Sequence, residues 1–304
     1  MDNIRVTFLG TGAGVPTPAR NVASLAVVLD GRTLLFDCGE GTQHQLFRST
    51  VKPGSIDAIF ITHLHGDHLF GLPGLLASLG MQARTRPLMV YGPRGLHKFL
   101  AAVPYLGTPY DVRLTEIAGA GEVLREDGFR VVAAPLEHRI ECFGFAVIED
   151  DLPGTFDVDR ARALGVPAGP LFGHLQRGES VSIGDRVVEP HEVLGARRAG
   201  RRIVYCTDTI RCAAAMELAR DADLLIHEAT YDDSMAMEAR ERGHSTAVEA
   251  AEVARDAGAK RLVLTHLSSR YTDAAPLLAE ARGVFANAEL AEDFATFDVP
   301  RPRG

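Results

Sequence analysis

Four side chains that bind metals or move protons fall within six residues, His63-Leu64-His65-Gly66-Asp67-His68, directly after the apolar run Ile56–Ile61 and Thr62. Three imidazoles suit zinc, and the one carboxylate can ligate a metal or take a proton. Gly66 is expected to let the backbone turn so that neighbouring ligands converge. A plain polar loop is a poor account of this segment. Charged imidazoles packed this tightly would repel, and neutral ones would waste a strand end.

Three later polar residues stand where apolar strands hand over to loops. His138 follows VVAAPLE, Asp208 follows IVYCT and His266 follows RLVLT. Each alone reads as a structural residue, and Asp208 also as a cap for the helix starting near Ala213. Taken with the His-rich loop they complete seven candidate ligands: His63, His65, Asp67, His68, His138, Asp208 and His266. A catalytic zinc takes about three protein ligands plus water. Seven ligands and a solvent hydroxide match two metals sharing a bridging carboxylate.

The elements that must position these residues alternate. Strand-like runs are Ile4–Gly10, Ser24–Leu29, Thr33–Asp37, Ile56–Ile61, Leu88–Tyr91, Phe129–Ala134, Cys142–Ile148, Arg202–Cys206, Leu224–His227 and Arg261–Thr265. Helix-like runs are Phe70–Leu79, Gly95–Ala102, Ala213–Arg220, Thr246–Ala257 and Ala274–Arg282. Ser245 or Thr246 caps the fourth of these, with Glu249 in its opening turn. The pattern predicts a layered α/β architecture, sheet inside and helices outside. Residues 1–304 form one domain. Leu152–Gly200, rich in Gly and Pro and without long apolar runs, reads as an inserted arm. At its end Arg197, Arg198, Arg201 and Arg202 read first as a solvated turn and second as phosphate contacts.

Composition excludes several classes. With 46% hydrophobic and 24% charged residues the chain is ordinary for a soluble globular protein. A net charge of −8 argues against a general nucleic-acid binder, though not against one local basic patch. Cys38, Cys142, Cys206 and Cys212 show no CxxC spacing. The N-terminus lacks a signal-peptide pattern and no apolar run is long enough to cross a bilayer. These features predict a cytoplasmic protein with free thiols and no membrane partner. Gly10-x-Gly12-x-Gly14 is not a dinucleotide fingerprint, because Val15 stands where the third Gly belongs and Pro16 and Pro18 break any helix. There is no GxSxG elbow for a serine hydrolase.

HLHGDH followed by distant His, Asp and His resembles the metallo-β-lactamase-fold hydrolases. FLGTGAGVPTPARN, FDCGEGTQHQL, HEATY, GHSTA and LTHLSSRY resemble one branch of them, the ribonuclease Z family, which removes the 3′ trailer from precursor tRNA. The blocks run in order from near residue 5 to near residue 272. The resemblance implies an αββα sandwich with a dinuclear zinc site at one edge of the sheets. It implies His63, His65 and His138 on one zinc, Asp67, His68 and His266 on the other, and Asp208 bridging them. Asp37 and His227 are implied to orient ligands, and Arg20 and Asn21 to contact substrate. It further implies a homodimer and an exosite arm that clamps tRNA, matched here by Leu152–Gly200 with GPLFGHLQRGE. Two departures stand out. The arm carries His174, Gln176 and Arg177 where the family is Lys-rich, so charge should hold tRNA less there. Pro18 replaces the Lys of Pro-x-Lys-x-Arg-Asn, in a loop associated with the cleavage position.

Phosphodiester hydrolysis needs a nucleophile, charge stabilisation and an acid for the leaving group. Two zinc ions, or manganese, supply the first two by acidifying water and screening phosphate charge. Asp67 ligates through one oxygen and accepts the water's proton through the other. His244, oriented by Glu228, is the expected acid for the leaving oxygen. The alternative is another hydrolase on the same scaffold, such as a small phosphodiesterase, thioesterase or lactonase. Those enzymes need neither the arm nor the HEATY and GHSTA blocks.

Overall fold

The computed structural model describes residues 4–104 and 106–301. They fall into two compact units, one of residues 4–148 with 202–300 and one of residues 149–201 with Arg301.

The first unit holds two seven-stranded sheets. In spatial order the first runs Thr296–Val299, Ile4–Gly10, Ser24–Leu29, Arg32–Phe36, Ile56–Phe60, Leu88–Gly92, Val112–Glu116. The second runs Ala288–Leu290, Leu262–Thr265, Leu224–Glu228, Arg202–Cys206, Cys142–Glu149, Phe129–Leu136, Gly121–Glu126. Alternate residues of both sheets face each other across a shared apolar layer that includes Phe8, Phe36, Phe60, Phe143, Phe145, Ile203 and Ile226. Phe36 and Phe60 stack with centroids 5.0 Å apart, as do Phe60 and Tyr91. The other face of the first sheet is covered by helices Thr42–Arg48, Leu72–Met81 and Leu96–Ala101. The other face of the second is covered by Ala213–Leu218, Ala247–Asp256 and Ala275–Val284. This is the αββα sandwich expected from the sequence. Central strands such as Leu224–Glu228 and Leu262–Thr265 are buried along their whole length, because helices and a second sheet cover both faces.

Helix Ala247–Asp256 starts on the predicted cap. Thr246 Oγ1 accepts from Glu249 N at 3.2 Å, and Glu249 Oε2 accepts from Thr246 N at 2.9 Å. Asp208 caps no helix, since Ala213–Leu218 begins after Cys212.

The second unit is more than a loop. Helices Val158–Ala163 and Pro170–Gln176 and the hairpin Val181–Ile183/Arg186–Val188 surround a small core of Ala161, Val166, Leu175, Val181, Val188 and Val193. Of the four clustered arginines, two serve structure. Arg201 is buried against Glu149, with Nη2 donating at 2.8 Å and Nε at 2.9 Å. Arg202 donates to the Leu218 carbonyl at 2.7 Å. The phosphate reading of that cluster therefore fails for these two.

Candidate metal centre

The strand Ile56–Phe60 delivers Thr62 and His63 to the end of the first sheet, and Asp67 and His68 open the short helix Gly66–Leu69. Asp37, Asp208 and His266 each sit just beyond a strand and each take a left-handed backbone, with φ of 56°, 50° and 56°. Such conformations cost of order 1–3 kcal/mol per non-glycine residue and cluster where a site needs a sharp turn. The expectation for Gly66 is corrected. Its φ is not positive. A Cβ there would lie 2.4 Å from the ring of Phe70, an exposed side chain that would have to turn aside.

The seven candidate ligands converge. His63 Nε2 is 3.0 Å from His65 Nδ1, which is 3.4 Å from His138 Nε2. His68 Nε2 is 3.1 Å from His266 Nε2, and Asp67 Oδ2 is 3.5 Å from both. Asp208 spans the two groups. Its Oδ1 is 3.3 Å from His68 Nε2 and 3.2 Å from His266 Nε2, while its Oδ2 is 3.4 Å from His63 Nε2 and 3.9 Å from His138 Nε2. Tetrahedral coordination with metal–nitrogen bonds of about 2.0–2.1 Å places neighbouring donors about 3.3 Å apart. The two half-sites match that spacing, so the residues fit two ions with Asp208 between them.

The remaining ring atoms are tied down. His138 Nδ1 donates to the Gly243 carbonyl at 2.7 Å. His68 Nδ1 donates to Asp37 Oδ2 at 2.8 Å. Asp37 also accepts from Thr62 N at 2.8 Å, from Thr62 Oγ1 at 3.0 Å and from Tyr205 Oη at 3.0 Å. These bonds turn the site-facing nitrogens into lone pairs, as a metal requires. Burial and the neighbouring His68 hold His63 well below its ordinary pKa, and burial and His138 lower His65. Both imidazoles are thus neutral, the form in which a metal is bound. His68 is pushed the other way. Burial opposes its charge, but Asp208 and Asp37 outweigh burial, so the cluster favours positive charge at that place. Asp67 also resists burial, because His266 and His68 keep it ionised well below the usual carboxylate range.

His244 stands beside the ligands. Its Nδ1 is 2.9 Å from Glu228 Oε1 and 4.0 Å from Asp208 Oδ2. Burial disfavours its cation, but Glu228 dominates and its pKa is pushed up to about 9. Glu228 is fully buried, yet the His244 charge and hydrogen bond keep it ionised. With Nδ1 committed to Glu228, the transferable proton of His244 is on Nε2. His65, Asp67, His138, Asp208, His244 and His266 all line one 300 Å³ cavity, with Arg139, Arg242, Arg270 and Tyr231 around them.

One expectation changes. His227 does not orient a ligand. It follows Ile226, which faces the inter-sheet core, and strand alternation turns its ring to the opposite face. Its Nδ1 meets the Glu228 carbonyl at 2.8 Å and its Nε2 has no partner. Arg20 and Asn21 hold the N-terminal loop. Arg20 Nη1 donates to Thr11 Oγ1 at 2.7 Å and to the Ala291 carbonyl at 2.8 Å, and Asn21 Nδ2 to the Glu40 carbonyl at 2.9 Å. That loop brings Gly14 N to 2.8 Å from Asp67 Oδ2. Arg20 also lines a separate 540 Å³ cavity with Thr17, Pro18 and Tyr271.

Sequence reasoning missed Thr62, Thr230 and Tyr205, although each lies within three residues of a candidate site residue. Hydroxyls give no spacing signal of their own. Tyr205→Phe removes one donor from the buried Asp37. It is expected to cost about 1.5–3 kcal/mol, the range for a hydrogen bond to a charged group. Urea unfolding checks this, and an unchanged midpoint would remove Tyr205 from the support of Asp37.

Known proteins share both sequence and architecture with this chain. The family described as Anti-Pycsar protein Apyc1 matches residues 4–101, and that described as Beta-lactamase superfamily domain matches residues 176–267. The chain is 48% identical to Ribonuclease Z of Acaryochloris marina, over 98% of each chain. It is 45% identical to Ribonuclease Z of Methanosarcina acetivorans, also over 98% of each. The crystal structure of the short form of human tRNase Z superposes with a TM-score of 0.71 at 34% identity, covering 97% of this chain and 99% of that one. The metallo-β-lactamase-fold protein YhfI from Bacillus subtilis reaches 0.70 at 20% identity, covering 98% and 100%, a likeness of fold alone. Identity near one half, sustained from end to end, goes well beyond a shared sandwich: this chain belongs to the ribonuclease Z family of the metallo-β-lactamase fold.

Proposed function

We propose that this protein is an endoribonuclease that hydrolyses the phosphodiester at the 3′ end of precursor tRNA, leaving a 3′-hydroxyl on the tRNA and a 5′-phosphate on the trailer. The relatives' names supply the substrate. The observation that carries the reaction is the His244–Glu228 pair at 2.9 Å, set beside seven converging candidate ligands, of which His65, Asp67, His138, Asp208 and His266 line the same arginine-rimmed cavity as His244.

The donor set suits two zinc ions per chain, with manganese as the alternative. His63, His65 and His138 would hold one, Asp67, His68 and His266 the other, and Asp208 both. When bound, the ions lower the pKa of water and screen phosphate charge. Asp67 is held ionised, so it is free to take a proton at neutral pH. Its weak basicity is matched only to a strongly acidified nucleophile. Its Oδ2 faces His68, His266 and Gly14 N, which assigns the proton to Oδ1. A 5′-phosphate on the trailer means that the P–O3′ bond breaks, so His244 gives its Nε2 proton to the departing 3′ oxygen of the tRNA, and Glu228 steadies the ring through Nδ1. Arg139, exposed on the rim beside His138, supplies a cation for the flanking backbone.

Residues 152–200 act in this reading as the arm that holds the tRNA body. The unit of residues 149–201 carries nine acidic side chains against seven arginines, so shape rather than net charge must hold the tRNA there. Glu149 N donates to the Arg201 carbonyl at 2.9 Å, so the chain ends left by removing 152–200 lie together and a short glycine linker can join them. Deleting 152–200 is expected to raise KM for precursor tRNA while leaving kcat on bis(p-nitrophenyl) phosphate unchanged. Loss of both activities would mean that the segment belongs to the catalytic fold.

A homodimer fits the exposed apolar side chains Phe47, Phe70 and Met81, which lie on or beside the adjacent helices Thr42–Arg48 and Leu72–Met81. Free, buried cysteines suit the cytoplasm, and no helix among the described residues is long and apolar enough to cross a membrane. End-group analysis tests the reaction. The released trailer should accept label from polynucleotide kinase only after phosphatase treatment. Direct labelling would show a 5′-hydroxyl and rule out the proposed bond cleavage.

A further inference from the structure

The hydroxyl of Thr230 sits among four groups. Its Oγ1 is 2.6 Å from Glu228 Oε2, 3.0 Å from His266 Nδ1, 3.0 Å from the His266 carbonyl and 3.5 Å from His244 Nδ1. A hydroxyl has one hydrogen and two lone pairs. The 2.6 Å contact has the length of an O–H donating to an ionised carboxylate, so the hydrogen goes to Glu228. A lone pair then receives the Nδ1 hydrogen of His266. That fixes the His266 tautomer with its Nε2 lone pair toward Asp67, His68 and Asp208. Glu228 Oε1 meanwhile accepts from His244 Nδ1 and from Thr209 N at 2.8 Å. Thr230 is 4% exposed and Glu228 fully buried, so bulk water has little access to replace these bonds.

We propose that Thr230 is a positioning residue: its hydroxyl ties the metal-ligand imidazole of His266 to one buried carboxylate, Glu228, which itself holds the proton donor, His244. This rests on the reading of the site given above. The metal half-site and the leaving-group acid would then share a single anchor, and loosening Thr230 should disturb both.

The other half-site provides an internal comparison. Thr62 Oγ1 is 3.0 Å from His63 Nδ1 and 3.0 Å from Asp37 Oδ1, the same imidazole–hydroxyl–carboxylate relay. Asp37 binds no proton donor for the substrate. Its other partners are Thr62 N, His68 Nδ1 and Tyr205 Oη. Thr62 therefore serves metal alone, whereas Thr230 serves metal and acid.

The test measures zinc affinity by chelator competition, and kcat at saturating zinc on precursor tRNA and on bis(p-nitrophenyl) phosphate, whose activated leaving group needs no acid. Thr230→Val and Thr62→Val are each expected to weaken one of the two ions by about 10–100-fold, the usual effect of losing a partner of a ligating imidazole. Thr62→Val should then lower kcat on both substrates by the same factor. Thr230→Val should lower kcat on precursor tRNA about tenfold more than on the activated diester. Thr230→Ser, which keeps the hydroxyl, should restore both properties. The proposal is overturned if Thr230→Val binds both ions as wild type does, if it lowers both substrates equally, or if Thr230→Ser is as impaired as Thr230→Val. Should the wild-type protein not cut precursor tRNA, the functional reading fails, while chelator competition still decides the role of Thr230.

Discussion

Asp67→Ala is expected to lower cleavage of precursor tRNA by roughly 10²–10⁴-fold or more, with tRNA binding intact. The lower figure is what loss of a general base alone costs. Asp67 is also a candidate ligand, with Oδ2 3.5 Å from His68 Nε2 and His266 Nε2. Its removal leaves two imidazoles and Asp208 to hold that ion. Metal content should therefore fall below two per chain under limiting zinc, and the loss of rate should persist when zinc is restored to excess. His65→Ala should behave in the same direction, since His65 Nδ1 closes the other half-site. Binding should survive because neither side chain lies in the arm. Gel-shift titration with single-turnover cleavage separates the two effects. An Asp67→Ala protein that cuts at the wild-type rate would remove Asp67 as base and as ligand.

His244→Ala carries the second large effect. Loss of a positioned acid costs roughly 10²–10⁴-fold when the leaving group needs a proton. The ribose 3′ oxygen of the tRNA is a poor leaving group and needs one. Nitrophenolate does not. Cleavage of precursor tRNA should therefore collapse, while hydrolysis of bis(p-nitrophenyl) phosphate stays close to wild type. Glu228→Gln should shift both substrates in the same pattern, because His244 loses the carboxylate that keeps it protonated. Equal losses on both substrates would instead place His244 among the groups that hold the ions. That outcome has a physical basis to compete with, since His244 Nδ1 is 4.0 Å from Asp208 Oδ2.

The central strands and the ligand set were legible in the sequence because burial on both faces demands continuous apolar runs. Ile4–Gly10, Ser24–Leu29 and Arg202–Cys206 match their expected bounds. Val112–Glu116, Gly121–Glu126, Ala288–Leu290 and Thr296–Val299 were not read as strands, and all four stand at sheet edges. There one side lacks a neighbouring strand and polar residues are tolerated. The arm was read as irregular because its core is six small or medium apolar residues, too sparse to give a period. The candidate ligands stand out by type and by position at strand ends, and the fold brings them together. The backbone turns at Asp37, Asp208 and His266 have only a weak sequence signature, since Asp and His enter the left-handed region more readily than most residues but far less often than glycine. Arg20 and Asn21 illustrate the opposite limit. Their motif is in place, but their hydrogen bonds, to Thr11, Ala291 and Glu40, anchor the loop to its surroundings, which no spacing rule foretells.

The most direct test incubates the purified protein with a 3′-extended precursor tRNA and zinc or manganese, and maps the new 3′ end, with Asp67→Ala and a chelator control alongside. The account predicts one metal-dependent cut at or just after the discriminator, or after CCA, absent from both controls. No cut by a protein shown to hold its metal would contradict the account.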